Sequence, residues 1–183
     1  MNNFNSILPC QATRKVALSL CLLAISSCTQ AVDINFRAEF QAPTCEISAP
    51  AMLDFETLLS TDIKQGNSPV LPLDVTLSQC GGFIGSQKPG VSVTGEGNTS
   101  AGEFLFRSAA SQSVNYGVRI TTSTDATVKN SSFLPAGLTS ANFDGGSTVI
   151  PLKVTLSCGD LCNNATTKSG SLTAAITFAF AYQ

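Results

Sequence analysis

The chain ends in the stretch GSLTAAITFAFAYQ, residues 170–183, and this stretch decides the fold. Apolar residues alternate in it with small or polar ones, which is the period of a β-strand with one buried face. The apolar face carries Leu172, Ala174, Ile176, Phe178, Phe180 and Tyr182. Because such a strand needs other strands to pair with, the sequence predicts a β-protein.

The composition argues against catalysis and against a bound metal or cofactor. The 183 residues contain no His, which removes the commonest general base and the commonest zinc ligand. The usual Ser/His/Asp and Cys/His nucleophile systems are excluded for the same reason. The length fits one domain, and we expect neither an enzyme nor a cofactor site.

The N-terminus has the pattern of a secretory leader. Arg14 and Lys15 supply a positive region, residues 16–25 an apolar run too short to span a bilayer, and Thr29-Gln30-Ala31 a small-residue cleavage site. We therefore expect residues 1–31 to be a signal peptide and the mature chain to begin at Val32. Export from the cytoplasm follows from this expectation.

A second interpretation of the leader stays open. Ile25-Ser26-Ser27-Cys28 resembles a bacterial lipoprotein box, in which Cys28 would be lipidated and become the first residue. In the other interpretation Cys28 is discarded with the leader.

Removal of residues 1–31 leaves four cysteines and changes the charge balance. An even number in an exported chain suggests disulfides. Bridging Cys45 and Cys80 would close a long loop, whereas Cys158 and Cys162 could pin a short turn, with a redox or metal pair as the less favoured alternative. The mature chain keeps 8 basic and 12 acidic residues, a net charge of 8 − 12 = −4, so no nucleic-acid partner is expected.

Short apolar or alternating runs follow one another along the mature chain, divided by clusters of Gly, Pro, Asn and Ser. This spacing predicts an antiparallel sandwich of immunoglobulin type. The predicted strands are residues 32–40, 45–47, 52–55, 70–80, 90–94, 104–107, 114–122, 149–158 and 170–182.

The first of these strands is amphipathic. Its polar side carries Asp33, Asn35, Arg37 and Glu39, and its apolar side carries Val32, Ile34, Phe36, Ala38 and Phe40. A strand with one apolar and one charged face is suited to lie across a groove with water behind it. Alternation alone is equally consistent with an ordinary first strand of the chain's own sandwich.

The mature chain resembles the pilin subunits of the bacterial chaperone–usher pathway. The resemblance rests on the alternating N-terminal segment, on Pro43-Thr44-Cys45-Glu46-Ile47, on the second cysteine in Leu77-Ser78-Gln79-Cys80 and on the C-terminal strand. In that family a Gly stands fourteenth from the C-terminus and an aromatic residue second to last, the places that Gly170 and Tyr182 occupy here.

The resemblance implies an all-β, incomplete immunoglobulin-like sandwich that lacks its seventh strand. It implies a donor-strand extension at 32–44, a pilin domain at 45–183, and an open hydrophobic groove beside the strand from Gly170 to Tyr182. A periplasmic pilus chaperone would lend a strand to this groove, and the N-terminal extension of a neighbouring pilin subunit would later replace it at an outer-membrane usher. The C-terminal carboxylate on Gln183 would meet basic residues of the chaperone. The expected product is a fimbria at the cell surface that supports cell adhesion.

One residue departs from the family pattern. Many members have Gly where this chain has Ala38, at a point where the donor backbone must approach the groove closely. The competing hypothesis is a self-complemented, immunoglobulin-like binding protein in the periplasm or on a lipid anchor, whose own first strand completes the sandwich.

Overall fold

The computed structural model describes residues 44–82, 85–100 and 102–183. The signal peptide, Cys28 and the expected donor strand 32–40 lie outside the described residues. Within them the chain forms ten strands, one α-helical turn and one 3₁₀ turn. Their bounds are β1 Thr44–Ser48, α1 Ser60–Lys64, β2 Leu71–Gly81, β3 Pro89–Gly95, β4 Gly97–Ser100, β5 Glu103–Phe106, β6 Gly117–Thr122, β7 Thr127–Val128, β8 Ser132–Pro135, β9 Thr148–Ser157, η1 Gly159–Asn163 and β10 Ile176–Tyr182.

The strands form two antiparallel sheets. The larger sheet has the order β1-β2-β9-β6-β5-β4, with β7 sharing one edge of β6 with β5. The smaller sheet has the order β10-β3-β8. The all-β, immunoglobulin-like fold class expected from the sequence is confirmed in this part of the chain.

The core fills the space between the two sheets. Alternate residues of β2 and β3 are fully buried, among them Val75 and Leu77 on one sheet and Val91 and Val93 on the other. Ile120 on β6 and Phe106 on β5 extend this core. Alternation in the sequence thus produced two faces that pack on one another, as expected for a sandwich.

Two prolines lie inside long strands of the larger sheet, at points where a neighbouring strand stops. Pro72 on β2 lies beyond the end of β1, whose last paired residue faces Thr76. Pro151 on β9 lies just beyond the end of β6, where the last pair joins Thr122 to Leu152. Proline, which has no backbone N–H to donate, is tolerated at these places because only one neighbouring strand pairs with the chain there.

Several predicted elements differ from the observed ones. Residues 52–55 form no strand, because Asp54 accepts a hydrogen bond from the Glu56 amide (2.7 Å) and Glu56 adopts a φ of 56°. Strands β4, β7 and β8 were not predicted. The C-terminal strand begins at Ile176 instead of Gly170, and β6 begins at Gly117 instead of Val114.

Candidate functional site: the open edge of the C-terminal strand

The C-terminal segment has one half-buried and one exposed face. Side chains at odd positions from Ser171 to Ala179 are exposed, whereas those at even positions are half-buried against the core. The half-buried set is Leu172, Ala174, Ile176, Phe178, Phe180 and Tyr182. On the neighbouring β3, by contrast, Val91 and Val93 are 0% exposed. Large apolar side chains of β10 are therefore incompletely covered.

Hydrogen bonds of the odd positions all point to one side of this segment. Gln183 exchanges both backbone bonds with Lys88, at 2.9 and 3.0 Å, which continues the β10–β3 ladder. Further upstream, the Thr173 carbonyl accepts from the Ser108 amide (2.7 Å) and the Ser171 carbonyl from the Gln112 amide (2.9 Å). Residues 171, 173 and 183 all have odd numbers, so their backbone hydrogen bonds lie on the same side of the segment.

Backbone groups of the even positions consequently face the opposite side. Successive residues of an extended strand direct their N–H and C=O groups to alternate sides. The residues from Leu172 to Tyr182 therefore present a row of donors and acceptors along the second edge, and no strand among the described residues pairs with it. We call this row the open edge. The residues that face the core with their side chains are the same ones that face the open edge with their backbone.

Strand β1 of the larger sheet lies close to β10. It pairs with β2 alone among the described strands, and it comes within 8 Å of β10 between Cα atoms without a backbone hydrogen bond. The Cys45–Cys80 disulfide joins β1 to β2 and holds β1 in place against its partner strand.

An aromatic cluster lies under the C-terminal half of β10. Phe180 and Tyr182 pack edge to face with ring centroids 5.0 Å apart, and Phe143 lies 6.4 Å from the first and 6.3 Å from the second. Phe143 is fully buried. Burial raises the pKa of the Tyr182 hydroxyl above its usual 10.0, and the Asp144 carboxylate adds to this rise. Phe143 was not singled out in the sequence, where its only signal was an isolated aromatic residue in a segment rich in Gly, Asn and Ser.

Gly170 and the residues after it precede the regular strand. Leu172 and Ala174 lie in this preceding part, where the partners are the loop at 108–113 instead of β3. The loop crosses close to Gly170: a Cβ there would lie 2.8 Å from the Ser113 nitrogen and 2.9 Å from the Gln112 carbonyl carbon. Glycine is required at this position for close approach of two backbones.

The second disulfide joins Cys158 to Cys162 and ties the end of β9 to η1. Within the described ranges, no three His, Cys, Asp or Glu side chains come together in a way that could hold a metal ion. The same ranges contain no helix of the length and apolarity needed to cross a membrane.

The fold and its open edge define a class, the immunoglobulin-like β-sandwich whose final strand is paired along one edge only among the described residues. The model of the fimbrial protein family matches residues 34–183, and the chain belongs to this family. It is a structural subunit of a fimbria, as the sequence predicted. A search of curated protein sequences returns no match.

Solved structures of similar fold include two from pili. The P pilus rod subunit PapA superposes with a TM-score of 0.54 at 19% identity, covering 76% of this chain and 99% of that one. A subunit chain from the structure of a chaperone–usher pilus, described for the molecular basis of rod uncoiling, superposes with a TM-score of 0.56 at 17% identity, covering 87% of this chain and 100% of that one.

Proposed function

We propose that this subunit is polymerised by donor-strand exchange, with the open edge of β10 as the acceptor and residues 32–40 of a neighbouring subunit as the donor. The open edge is the observation that carries the proposal: a row of backbone groups that no described strand pairs, beside half-buried apolar side chains, is a template for an added strand. In this proposal the leader at 1–31 is removed, and the mature chain consists of a donor extension at 32–44 and a pilin domain at 45–183.

The alternating pattern of residues 32–40, the proposed donor strand, also supports the proposal. Val32, Ile34, Phe36, Ala38 and Phe40 would cover the even-numbered side chains of β10, while Asp33, Asn35, Arg37 and Glu39 would stay in water. The acceptor stretch from Ser169 to Gln183 carries no charged side chain. Apolar burial and backbone hydrogen bonds would therefore supply the affinity.

An uncovered open edge has a consequence before assembly. Native proteins protect edge strands with charges, prolines or bulges, and the stretch from Ser169 to Gln183 contains no charged side chain and no proline. We infer that a periplasmic pilus chaperone supplies a temporary strand and that an outer-membrane usher exchanges it for the donor strand. The proposed route thus passes through the periplasm to the cell surface, and the proposed role contains no catalytic step.

The test is expression of residues 32–183 in the periplasm with and without a matched periplasmic pilus chaperone. We expect aggregation or proteolysis without it and a soluble one-to-one complex with it. A stable monomer without any partner would refute the proposal and favour a self-complemented binding protein. Mass spectrometry of the mature N-terminus adds an independent check, since a lipidated Cys28 would contradict a start at Val32.

The donor role has its own test with a matched pair of variants. Phe36→Asp places a charge on the apolar face of the donor, and Asn35→Asp places the same charge on its polar face. We expect the first to abolish polymerisation while chaperone binding persists, and the second to polymerise normally. Loss of chaperone binding in Phe36→Asp would mean that residues 32–40 belong to the subunit's own fold.

A further inference from the structure

The segment between β9 and β10, residues 158–175, contains the second disulfide, and we call it the C-terminal crossover. Cys158 is fully buried at the end of β9, and Cys162 is half-buried in η1. Their disulfide, together with a hydrogen bond from the Leu161 amide to the Cys158 carbonyl (3.0 Å), closes η1 back onto the end of β9. The crossover therefore starts from a covalently fixed point.

The 3₁₀ turn η1 is docked on β4. The Ser100 hydroxyl donates a hydrogen bond to the Asp160 carboxylate. Gly159 has a φ of +54°, and a Cβ at this position would lie 2.4 Å from the Ser100 oxygen. Both the conformation and the space at position 159 favour glycine. The 3₁₀ turn η1 therefore packs closely against Ser100 on β4.

The remainder of the crossover is held by hydrogen bonds to the loop that precedes β6. The side-chain amide nitrogen (Nδ2) of Asn115 donates to the hydroxyls of Thr166 (3.1 Å) and Thr167 (3.0 Å). Val114 and Lys168 form an isolated bridge, and the Ser111 hydroxyl donates to the Thr173 carbonyl (2.9 Å). Most residues from Asn163 to Ser171 are exposed, so water competes for these bonds and each contributes little.

We propose that the Cys158–Cys162 disulfide is a positioning element for strand acceptance. It fixes the start of the crossover, whose hydrogen bonds in turn hold residues 171–175 extended, so that the open edge runs on beyond β10 to Leu172. A strand that adds to a preformed edge does not have to order it. This inference rests on the proposed function, because it concerns how the same edge takes up a donor.

The test begins from the chaperone-bound subunit and compares the wild type with Cys158→Ser/Cys162→Ser. Hydrogen exchange should show protection at residues 164–175 falling about tenfold or more in the variant, while amides of β2 keep the protection expected from global stability. Displacement of the chaperone by a synthetic peptide of residues 32–44 should be slowed about tenfold.

A matched control separates positioning from general stability. Val128→Ala opens a cavity at a fully buried site on β7, and β7 lies outside the contacts described for the crossover. We expect this variant to be destabilised towards denaturant and to take up the peptide at the wild-type rate. Equal uptake by the wild type and the cysteine variant, or equal slowing in Val128→Ala, would overturn the positioning role.

A second variant covers the case in which the cysteine variant does not fold. Asn115→Gly removes the bonds to Thr166 and Thr167 but tolerates the φ of 67° at this position. Like the cysteine variant, it should exchange its amide hydrogens at residues 164–175 faster than the wild type. An unchanged exchange rate would contradict the proposal. If the wild type itself never accepts the peptide, the proposed donor-strand exchange is wrong, and hydrogen exchange alone then decides whether the disulfide positions the crossover.

Discussion

Gly170 lies where the C-terminal segment crosses the loop at Gln112 and Ser113, and the space beside it is too small for a methyl group. Gly170→Ala should therefore push two backbones apart and lower the free energy of unfolding by about 1–3 kcal/mol. Gly81→Ala is the matched control, since a Cβ at Gly81 would have no atom within 4 Å, and should change stability by less than about 0.5 kcal/mol. Urea unfolding of the chaperone-free, peptide-bound subunit measures both, and equal midpoints would contradict the steric argument.

Tyr182 gives the open edge a titratable reporter. Burial, and secondarily Asp144, raises the pKa of its hydroxyl above 10.0 in the folded chain. The neutral phenol is therefore favoured by folding. This contribution to stability is present in full below about pH 10 and is lost as the pH rises through the folded pKa.

The expected result is a phenolate absorbance that appears at higher pH in the folded chain than in urea. Tyr116 is the only other tyrosine, so the titration is made in Tyr116→Phe. Coincident folded and unfolded curves would show that the Tyr182 hydroxyl is solvated like that of a free tyrosine.

The alternation of single residues could be predicted from the sequence, whereas the buried contacts of Gly170 and Phe143 could not. Gly170 was singled out through the family resemblance, but the backbone of Gln112 and Ser113 that makes it necessary lies 57 positions away and has no local signal. Phe143 was missed for the same reason. Its role depends on β10, which the chain reaches only after the whole of β9.

At the scale of elements, the two faces of β10 predict opposite responses to the same charge. Phe180 packs on Tyr182 and Phe143, whereas Thr177 is exposed on the other face. Phe180→Asp should destabilise the peptide-bound subunit by about 3 kcal/mol or more and reduce chaperone capture. Thr177→Asp should stay within about 0.5 kcal/mol of the wild type. Denaturant unfolding and co-purification decide, and a similar loss in both variants would contradict the assigned faces.

Strands with long alternation were predictable, whereas among the short strands β1 and β5 were predicted and β4, β7 and β8 were not. The runs that became β2, β3 and β9 were predicted to within two residues at each end, because each carries alternating core residues. Strand β4 was missed because its glycine and asparagine are typical of a turn. A Cβ at Gly97 would collide with the Leu105 carbonyl oxygen and with the Phe104 ring, both on the paired strand β5. The upstream half of the C-terminal strand was predicted from alternation alone, which cannot show that its partner is a loop.

For the whole molecule, stability should depend on the occupant of the open edge. A ligand that binds only the folded state adds RT ln(1 + [L]/Kd) to the free energy of unfolding, about 2.7 kcal/mol at a hundredfold excess over Kd. A peptide of residues 32–44 should therefore raise the urea midpoint with concentration, and the same peptide with Phe36→Asp should not. A midpoint independent of both peptides would show that the described sandwich is complete in itself.

The uncharged open edge also has a consequence for timing. Encounter between two free subunits grows with the square of their concentration, whereas encounter with a partner held in constant supply grows only in proportion to it. A slow, steady flow of new subunits therefore favours ordered growth of the fibre over random clumping. Because no side chain from Ser169 to Gln183 carries a charge that would keep free subunits apart, the rate of synthesis itself limits aggregation.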